Sequence, residues 1–395
     1  MTGKVGLFTA FSAAGLRERV AVALESYRAA QAAFAAWCRE AGVTTPTVEQ
    51  AAAFLAAHPG LTGDDGVSWH ATLTRRLARG VDLRAERDGE RTGLYRPFAP
   101  RHVYLSRDLN LGPYKIPALF PTPRHPNTGF YIVPPGSPKS FSALATARIP
   151  DLALWGSYGG QFFPRWTWEP VDGTLDLAVG GDGDGIVEGY RRVDNITDGI
   201  LRRYRDALGG DVTKDDIFHL VYAQLHDPAY REAYRDDLRK VFPHIPTPET
   251  RERFDRLVAA GRRLLELHVG YEDGDPHPLD VQLRDGADPA DPATWRVTSM
   301  RWRSRTDHTA IVVNPSVTVA GIPPEAEEYV LGSRTALSWV IEQWKVTTDK
   351  ATGRTNDPND WAAEQGDPRY IVDLIGKVTR VAVETVRIVG DLATG

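Results

Sequence analysis

The chain has 395 residues and a mass of 43.6 kDa, enough for two to four domains at roughly 100–200 residues each. Its 42% hydrophobic and 25% charged residues match ordinary soluble globular proteins and exclude a mostly disordered, collagen-like or fibrous chain. The net charge of −5 hides an asymmetry: residues 91–170 carry nine Lys and Arg against Asp108, Asp151 and Glu169, so this stretch is +6 and the rest of the chain −11.

The short apolar start, Val5 to Phe11, lacks a signal-peptide core before Arg17, Glu18 and Arg19. No stretch approaches the roughly 18 apolar residues of a membrane span, so a cytoplasmic location is expected. Residues 15–40 read as an amphipathic helix, with Val20, Leu24, Tyr27, Ala30, Phe34 and Trp37 at helical spacing. Its Cys38 is the only cysteine, which rules out an internal disulfide and a Cys-based zinc site and reads as a packed helix residue. A second short helix follows Thr47 as cap and ends at His58-Pro59-Gly60.

From Leu94 to Pro170 short β-like runs, such as His102–Leu105 and Gly129–Val133, alternate with Pro-containing turns. The run Gly180 to Gly185 reads as a linker, because it lacks the spaced acids of a calcium loop. Residues 194–270 read as three or four helices. Ile196, Ile200, Leu201, Tyr204 and Leu208 share one face, Thr213 with Asp216 spaces a capping box, and Asp227-Pro228 and Thr247-Pro248 open further helices. After Tyr271, alternation over Arg296–Arg303 and a pattern from Thr309 to Val319 predict strands. A strand there would put Arg301, Arg303 and Arg305 on one face. A helix around Ala336–Trp344, a loop over Asp349–Trp361 and a terminal helix opened by Asp367-Pro368 complete the chain.

Several chemistries lack their residues. Gly3-Lys4 and Gly376-Lys377 are each followed by Val, so neither is a P-loop. Asp357-Pro358-Asn359-Asp360-Trp361 departs from the run that holds a flipped base in an amino-methyltransferase and reads as a turn. Pro150-Asp151 has no Asp/Glu-x-Lys to complete a restriction-type nuclease site, and Gly156-Ser157-Tyr158-Gly159 misses the esterase spacing. The ten histidines show no metal-ligand spacing; His219, His226 and His268 fall in helical patterns. Adjacent acids such as Asp215-Asp216 diverge on a helix, whereas glycosidase acids can lie far apart, so a carbohydrate-active enzyme stays open.

One ordered set of segments is more specific. Leu94-Tyr95-Arg96-Pro97-Phe98, Tyr104, Arg107-Asp108-Leu109-Asn110, Phe120-Pro121-Thr122-Pro123, Phe141-Ser142-Ala143-Leu144 and Ile149-Pro150-Asp151 resemble the C-terminal specificity region of type ISP restriction-modification enzymes. The likeness continues through Thr213–His219, Val221-Tyr222, Gly321-Ile322-Pro323 and Val346–Trp361, with weaker matches near Phe8 and at Trp69. Those enzymes join a nuclease, a helicase-like motor, an adenine methyltransferase and a target recognition domain. The resemblance implies a reader of double-stranded DNA without catalytic residues or cofactor of its own. S-adenosylmethionine, ATP and Mg are then expected only in associated methyltransferase and motor/nuclease domains, in cis or in trans. The chain is either a fragment of such a polypeptide or a stand-alone specificity subunit.

The fold expected is α+β: a helical N-terminal section (1–90), a β-rich target recognition domain (91–185), a helical spacer (194–272) and a C-terminal α/β section (290–395). Candidate DNA contacts are Arg96, Arg101, Arg107, Lys115, Arg124, Lys139 and Arg148, with Asn110 and Asn127 as possible base readers, and Arg301, Arg303 and Arg305 as a second basic island. Phosphate needs cations without sequence preference, and base edges need fixed donors and acceptors. For each, the alternative is a surface charge or a turn-forming Asn; Arg96 could equally be a buried arginine stacked on aromatics. Trp155, Trp166 and Trp168 read as core or subunit-interface residues. A protein-interaction scaffold, such as a decayed specificity subunit, is the other functional reading.

Overall fold

The computed structural model describes residues 8–62, 69–110, 114–157, 159–171, 186–348, 350, 353 and 355–394. The run 180–185, read above as a linker, lies outside these, as do Lys4, Tyr158 and Asp349. Helices and small antiparallel sheets occupy largely separate stretches, consistent with the α+β class. The chain divides into two compact units, each assembled from separated segments: 1–93, 101–114 and 346–364 in the first, and 94–100, 115–345 and 365–395 in the second.

In chain order the elements begin with β1 (Phe8–Ala10), α1 (Ala13–Glu40), α2 (Val48–Ala57), α3 (Ala71–Ala78), β2 (Glu90–Arg96), β3 (Ala99–Tyr104) and α4 (Ile116–Leu119). There follow β4 (Gly129–Ile132), β5 (Ala143–Thr146), β6 (Ile149–Pro150), β7 (Gln161–Pro164), β8 (Trp166–Pro170), β9 (Ile186–Val187) and β10 (Tyr190–Asp194). Four helices come next: α5 (Asp198–Leu208), α6 (Lys214–Gln224), α7 (Pro228–Ala233) and α8 (Arg251–Val269). The rest comprises β11 (Asp280–Leu283), β12 (Arg301–Trp302), β13 (Ala310–Val312), β14 (Val317–Ala320), β15 (Val330–Leu331), β16 (Arg334–Thr335), α9 (Ala336–Gln343), β17 (Thr347–Thr348), β18 (Thr355–Asn356), α10 (Asn359–Glu364) and α11 (Tyr370–Thr394).

The first unit is built on α1. Ser12 caps it by accepting from Gly15 N, and Leu16, Val20, Ala23, Leu24, Tyr27, Ala30, Phe34 and Cys38 form its buried stripe. Thr47 and Gln50 close a capping box on α2, whose Phe54 ring packs 5.2 Å from that of Phe34. Asp357-Pro358 does not end in a turn. Asp357 Oδ1 accepts from Asn359 N at 2.9 Å and α10 starts there, with Trp361 buried on it. Glu364 at its end accepts from Ala13 N and from His102 Nε2, both at 2.7 Å.

The core of the second unit lies where α6 and α8 cover the antiparallel sheet ordered β5-β4-β7. Phe130, Ile132, Ala143 and Ala145 of the sheet meet Phe218, Tyr222, Leu225 and Leu264, and Ile388 of α11 joins them. Thr213 and Asp216 form the expected capping box. Helix α8 starts later than Thr247-Pro248 predicts: the extended residue is Thr250, whose hydroxyl accepts from Arg253 N. Glycine at 261 permits the close approach of α6 and α8, since a Cβ there would stand 1.9 Å from the His219 carbonyl oxygen.

Two strand expectations change. Only Arg301 and Trp302 of the 296–303 stretch are in a strand, because Asp291-Pro292 opens a 3-10 turn and Val297 and Met300 are buried outside the sheet. Thr309–Val319 is a hairpin, since Asn314-Pro315 breaks it and Asn314 Oδ1 accepts from the Ser316 and Val317 amides.

Gly→Ala inside a helix ordinarily stabilises by about 1 kcal/mol. Gly261→Ala should instead destabilise by roughly 1–3 kcal/mol through the clash with His219, a difference in sign that urea unfolding reads directly. Burial, with Arg231 adding to it, pushes the His226 imidazole down to about 3, and burial holds His268 well below the usual histidine value. Both bind protons more readily unfolded, so their contribution is full above pH ~6.5 and falls as pH drops through that value towards 3, by up to about 1.4 kcal/mol per pH unit for each. Unfolding free energies measured between pH 7 and 4.5 should show this slope, and His226→Gln should reduce it.

Candidate nucleic-acid interface

Four of the twelve sequence candidates are buried. Arg96 sits with its guanidinium over the Tyr95 ring at 3.9 Å and donates to Tyr95 O and to Asp151 Oδ1, the latter at 2.9 Å. Burial pushes the Asp151 carboxyl up while Arg96 pulls it down. Asp151 Oδ1 also accepts from Ala153 N, which gives the Pro150-Asp151 pair a structural task. Arg101 lies 3.3 Å over the Phe11 ring. Asn110 Oδ1 accepts from Ser106 N, closing a local turn. Asn127 ties α4 to β8 through Nδ2, which donates to Leu119 O at 3.0 Å and Trp166 O at 2.8 Å.

Two more are half-buried. Arg148 pairs with Glu272 and donates to Tyr271 Oη. Lys139 Nζ approaches Ser333 Oγ at 3.4 Å. The remaining six, Arg107, Lys115, Arg124, Arg301, Arg303 and Arg305, are exposed. Arg107 is in the first unit with Arg101 and Asn110, and the others are in the second. Arg301, Arg303 and Arg305 do not share a strand face: Arg305 lies in the turn that Ser304 closes by accepting from Thr306 N and Asp307 N, and Arg303 reaches Asp307 at 3.4 Å.

The best-defined exposed basic element of the second unit is a three-stranded sheet ordered β8-β10-β9. Glu188 and Gly189 connect β9 to β10 with φ of 42° and 80°, the two positive values of a type I′ turn. Arg124 pairs with Glu188 at this tip. Antiparallel register places Arg192 opposite the buried Trp168 and Asp194 opposite Trp166, and Arg191 faces Glu169 on the other side. The guanidiniums of Arg165 and Arg192 each lie 4.4 Å from the Trp166 ring centroid. Arg165 is buried and held by Asp194 and by Asp215 at 2.7 Å, and Arg192 is exposed. His125, packed edge-on to Trp168 and Tyr190, anchors the hairpin through Nε2 and the Val187 carbonyl at 2.9 Å.

The result is a ribbon with Arg191 and Arg192 exposed on opposite faces and Arg124, of the loop before β4, paired with its tip, chemistry suited to phosphate oxygens or guanine edges. Sequence reasoning missed Arg165, Arg191 and Arg192. The alternation Tyr190-Arg191-Arg192-Val193 after Gly189 is the signal that could have found the strand. Among the described residues, no group of three or more His, Cys, Asp or Glu is placed to hold a metal ion, and no helix is long and apolar enough to cross a membrane.

No curated protein matches the chain. Among solved structures, it is similar to a nuclease-deletion mutant of the Type ISP restriction-modification enzyme LlaGI in complex with a DNA substrate mimic, with 26% identity and a TM-score of 0.77 over 98% of this chain and 31% of that one. A DrdV–DNA complex matches with 27% identity and a TM-score of 0.75, over 98% of this chain and 34% of that one. The ATP-dependent Type ISP enzyme LlaBIII bound to DNA shares the fold, with 24% identity and a TM-score of 0.77 over 98% of this chain and 23% of that one. The chain thus spans about a third or less of these solved chains. The family model for the Type ISP C-terminal specificity domain matches residues 1–374, and the chain belongs to that family.

Proposed function

We propose that this chain recognises a short asymmetric site in double-stranded DNA, mainly through the major groove, for an associated adenine methyltransferase, motor and nuclease. The observation that carries the reading is the ribbon β9–β10, whose Arg192 is exposed yet fixed against Trp166. A guanidinium already held in place loses little rotamer freedom on meeting phosphate or a base edge. The DNA-bound state of the LlaGI, LlaBIII and DrdV structures supports DNA as the ligand.

In this reading the chain breaks no bond. It grips its site so that the methyltransferase, in cis or in trans, can flip and methylate an adenine, and occupancy of an unmethylated site licenses the motor and nuclease against foreign DNA. S-adenosylmethionine, ATP and Mg belong to those partners.

Selection from random duplexes at about 50 and 200 mM salt tests the reading: one short motif should be enriched, and affinity should fall steeply with salt. Arg124→Glu and Arg192→Glu should each weaken binding and reduce the salt slope by about one. No retention at either salt would overturn the proposal in favour of a scaffold. Arg96→Met makes the opposite prediction. It leaves the Asp151 carboxyl buried without its cation and should lower stability by about 3–5 kcal/mol, while duplex affinity per folded molecule stays unchanged.

A further inference from the structure

A second basic feature of the second unit is concave and lies apart from the hairpin residues. Between the loop 133–141 and the 228–239 segment runs a groove of 760 Å³, within the range of about 300–1,000 Å³ typical of small-molecule sites. Lys139, Arg231, Arg235 and Arg239 line it, and Glu232 is the one acid among its lining residues. Glu232 is committed to Arg235 in an exposed pair three residues apart along the chain. Arg231 spends its Nε on Leu225 O at 2.6 Å and stands 5.6 Å from the Phe141 ring centroid; among the described residues no carboxylate forms an ion pair with it. Burial first, then the nearby Arg334 and Arg96 guanidiniums, lower the Lys139 ammonium below the usual lysine range.

This concentration of positive charge is a cost in the unliganded protein, and an anion relieves it. The floor and walls add Val133, Pro134, Phe141 and Leu238, so the groove offers apolar surface beside its cations. That combination suits a phosphate carried on an organic group better than a bare ion, because the guanidiniums and the ammonium take the oxygens while Phe141 and the prolines cover the attached ring or sugar.

We propose that the groove lined by Lys139, Arg231, Arg235 and Arg239 binds an organic phosphate. The group can come from a free nucleotide or from the backbone of a duplex; the second source rests on the DNA reading above. The site differs from the ribbon in every residue, so the two can fail independently.

The test titrates the full 395-residue chain, in phosphate-free buffer, with adenosine 5′-monophosphate, inorganic phosphate and adenosine, and separately measures binding to a short duplex. The variant is Lys139→Glu with Arg239→Glu, since the Gly136 amide bonds only the backbone carbonyl of Arg239, which the change leaves in place. Its thermal unfolding is compared with that of the unaltered chain; Lys139→Gln with Arg239→Gln replaces it if it does not fold. For a nucleotide, the monophosphate binds, adenosine does not, and the variant weakens binding about tenfold or more. For a backbone phosphate, the monophosphate fails to bind and the variant loses about tenfold in duplex affinity with a shallower salt dependence. The inference is overturned if a folded variant matches the unaltered chain for the monophosphate, phosphate and the duplex. If Arg192→Glu still weakens the duplex in that case, DNA recognition survives and the groove alone is wrong.

Discussion

The Tyr222 hydroxyl is held from two sides in the core of the second unit. It accepts from Ala145 N on the edge strand β5 at 2.8 Å and is hydrogen-bonded to His268 Nδ1, 2.5 Å away. Burial keeps the imidazole neutral, and its Nε2 lies 2.8 Å from Thr385 Oγ1 on α11 and 3.3 Å from Tyr329 Oη. A buried polar chain of this kind is stable only when every member is satisfied, and it ties β5, α6, α8 and α11 into one arrangement. The glycine at 261 lets α6 and α8 come close enough for the chain to close. From that braced sheet, β7 runs through Arg165 directly into β8, so the position of Trp166 descends from the core and not from a loop.

The arginines show how this frame sorts charge. Arg96 and Arg165 are buried with carboxylates, Arg101 is buried against an aromatic ring, and Arg148 is half-buried beside Glu272. Such groups must be paired or stacked, because an isolated ion removed from water costs several kcal/mol or more. They are therefore spent on the architecture. Charges still open to a polyanion include those on the ribbon, the 301–305 turn and the groove, and the acidic excess of the chain is concentrated in residues 272–291, where seven acids face Arg284 alone, while the helical stretch is balanced.

How far this was legible in sequence depends on whether the deciding force is local. Thr47, Thr213 and Asp227 were readable as helix caps because a cap is set by a side chain and an amide two or three residues away. The stripe from Val20 to Phe34 was readable because burial repeats with the helix. The fate of the basic residues was not. Nothing near Arg96 announces Asp151, 55 positions on, or that Phe11 lies under Arg101. Asn110 and Asn127 look in sequence like base readers or turn formers alike, and only their bonds to Ser106 N, Leu119 O and Trp166 O show the tasks they hold. Parity misled at 301–305, since a turn closed by Ser304 ends the alternation. The ribbon escaped notice because β9 has two residues and its turn signal is Glu-Gly, a weaker pair than Asn-Gly.

The ribbon and the groove represent two ways to use a guanidinium. Arg192 is exposed, but the Trp166 face and the Arg165 beyond it define where it sits, so its donors point in a direction set by the sheet. Direction is what discrimination among base edges requires, since a mobile cation favours every phosphate equally. In the groove, Arg231 stands 5.6 Å from the Phe141 ring centroid and is held through Nε, while Lys139 and Arg239 lack such an aromatic rest among the described residues. Those cations supply field without a fixed outward geometry, which suits an oxygen-rich group accepted from several angles. The fold thus sets an aromatic-backed cation on the exposed sheet β8-β10-β9 and gathers four cations in a concavity, where Arg231 alone stands near a ring among the described residues.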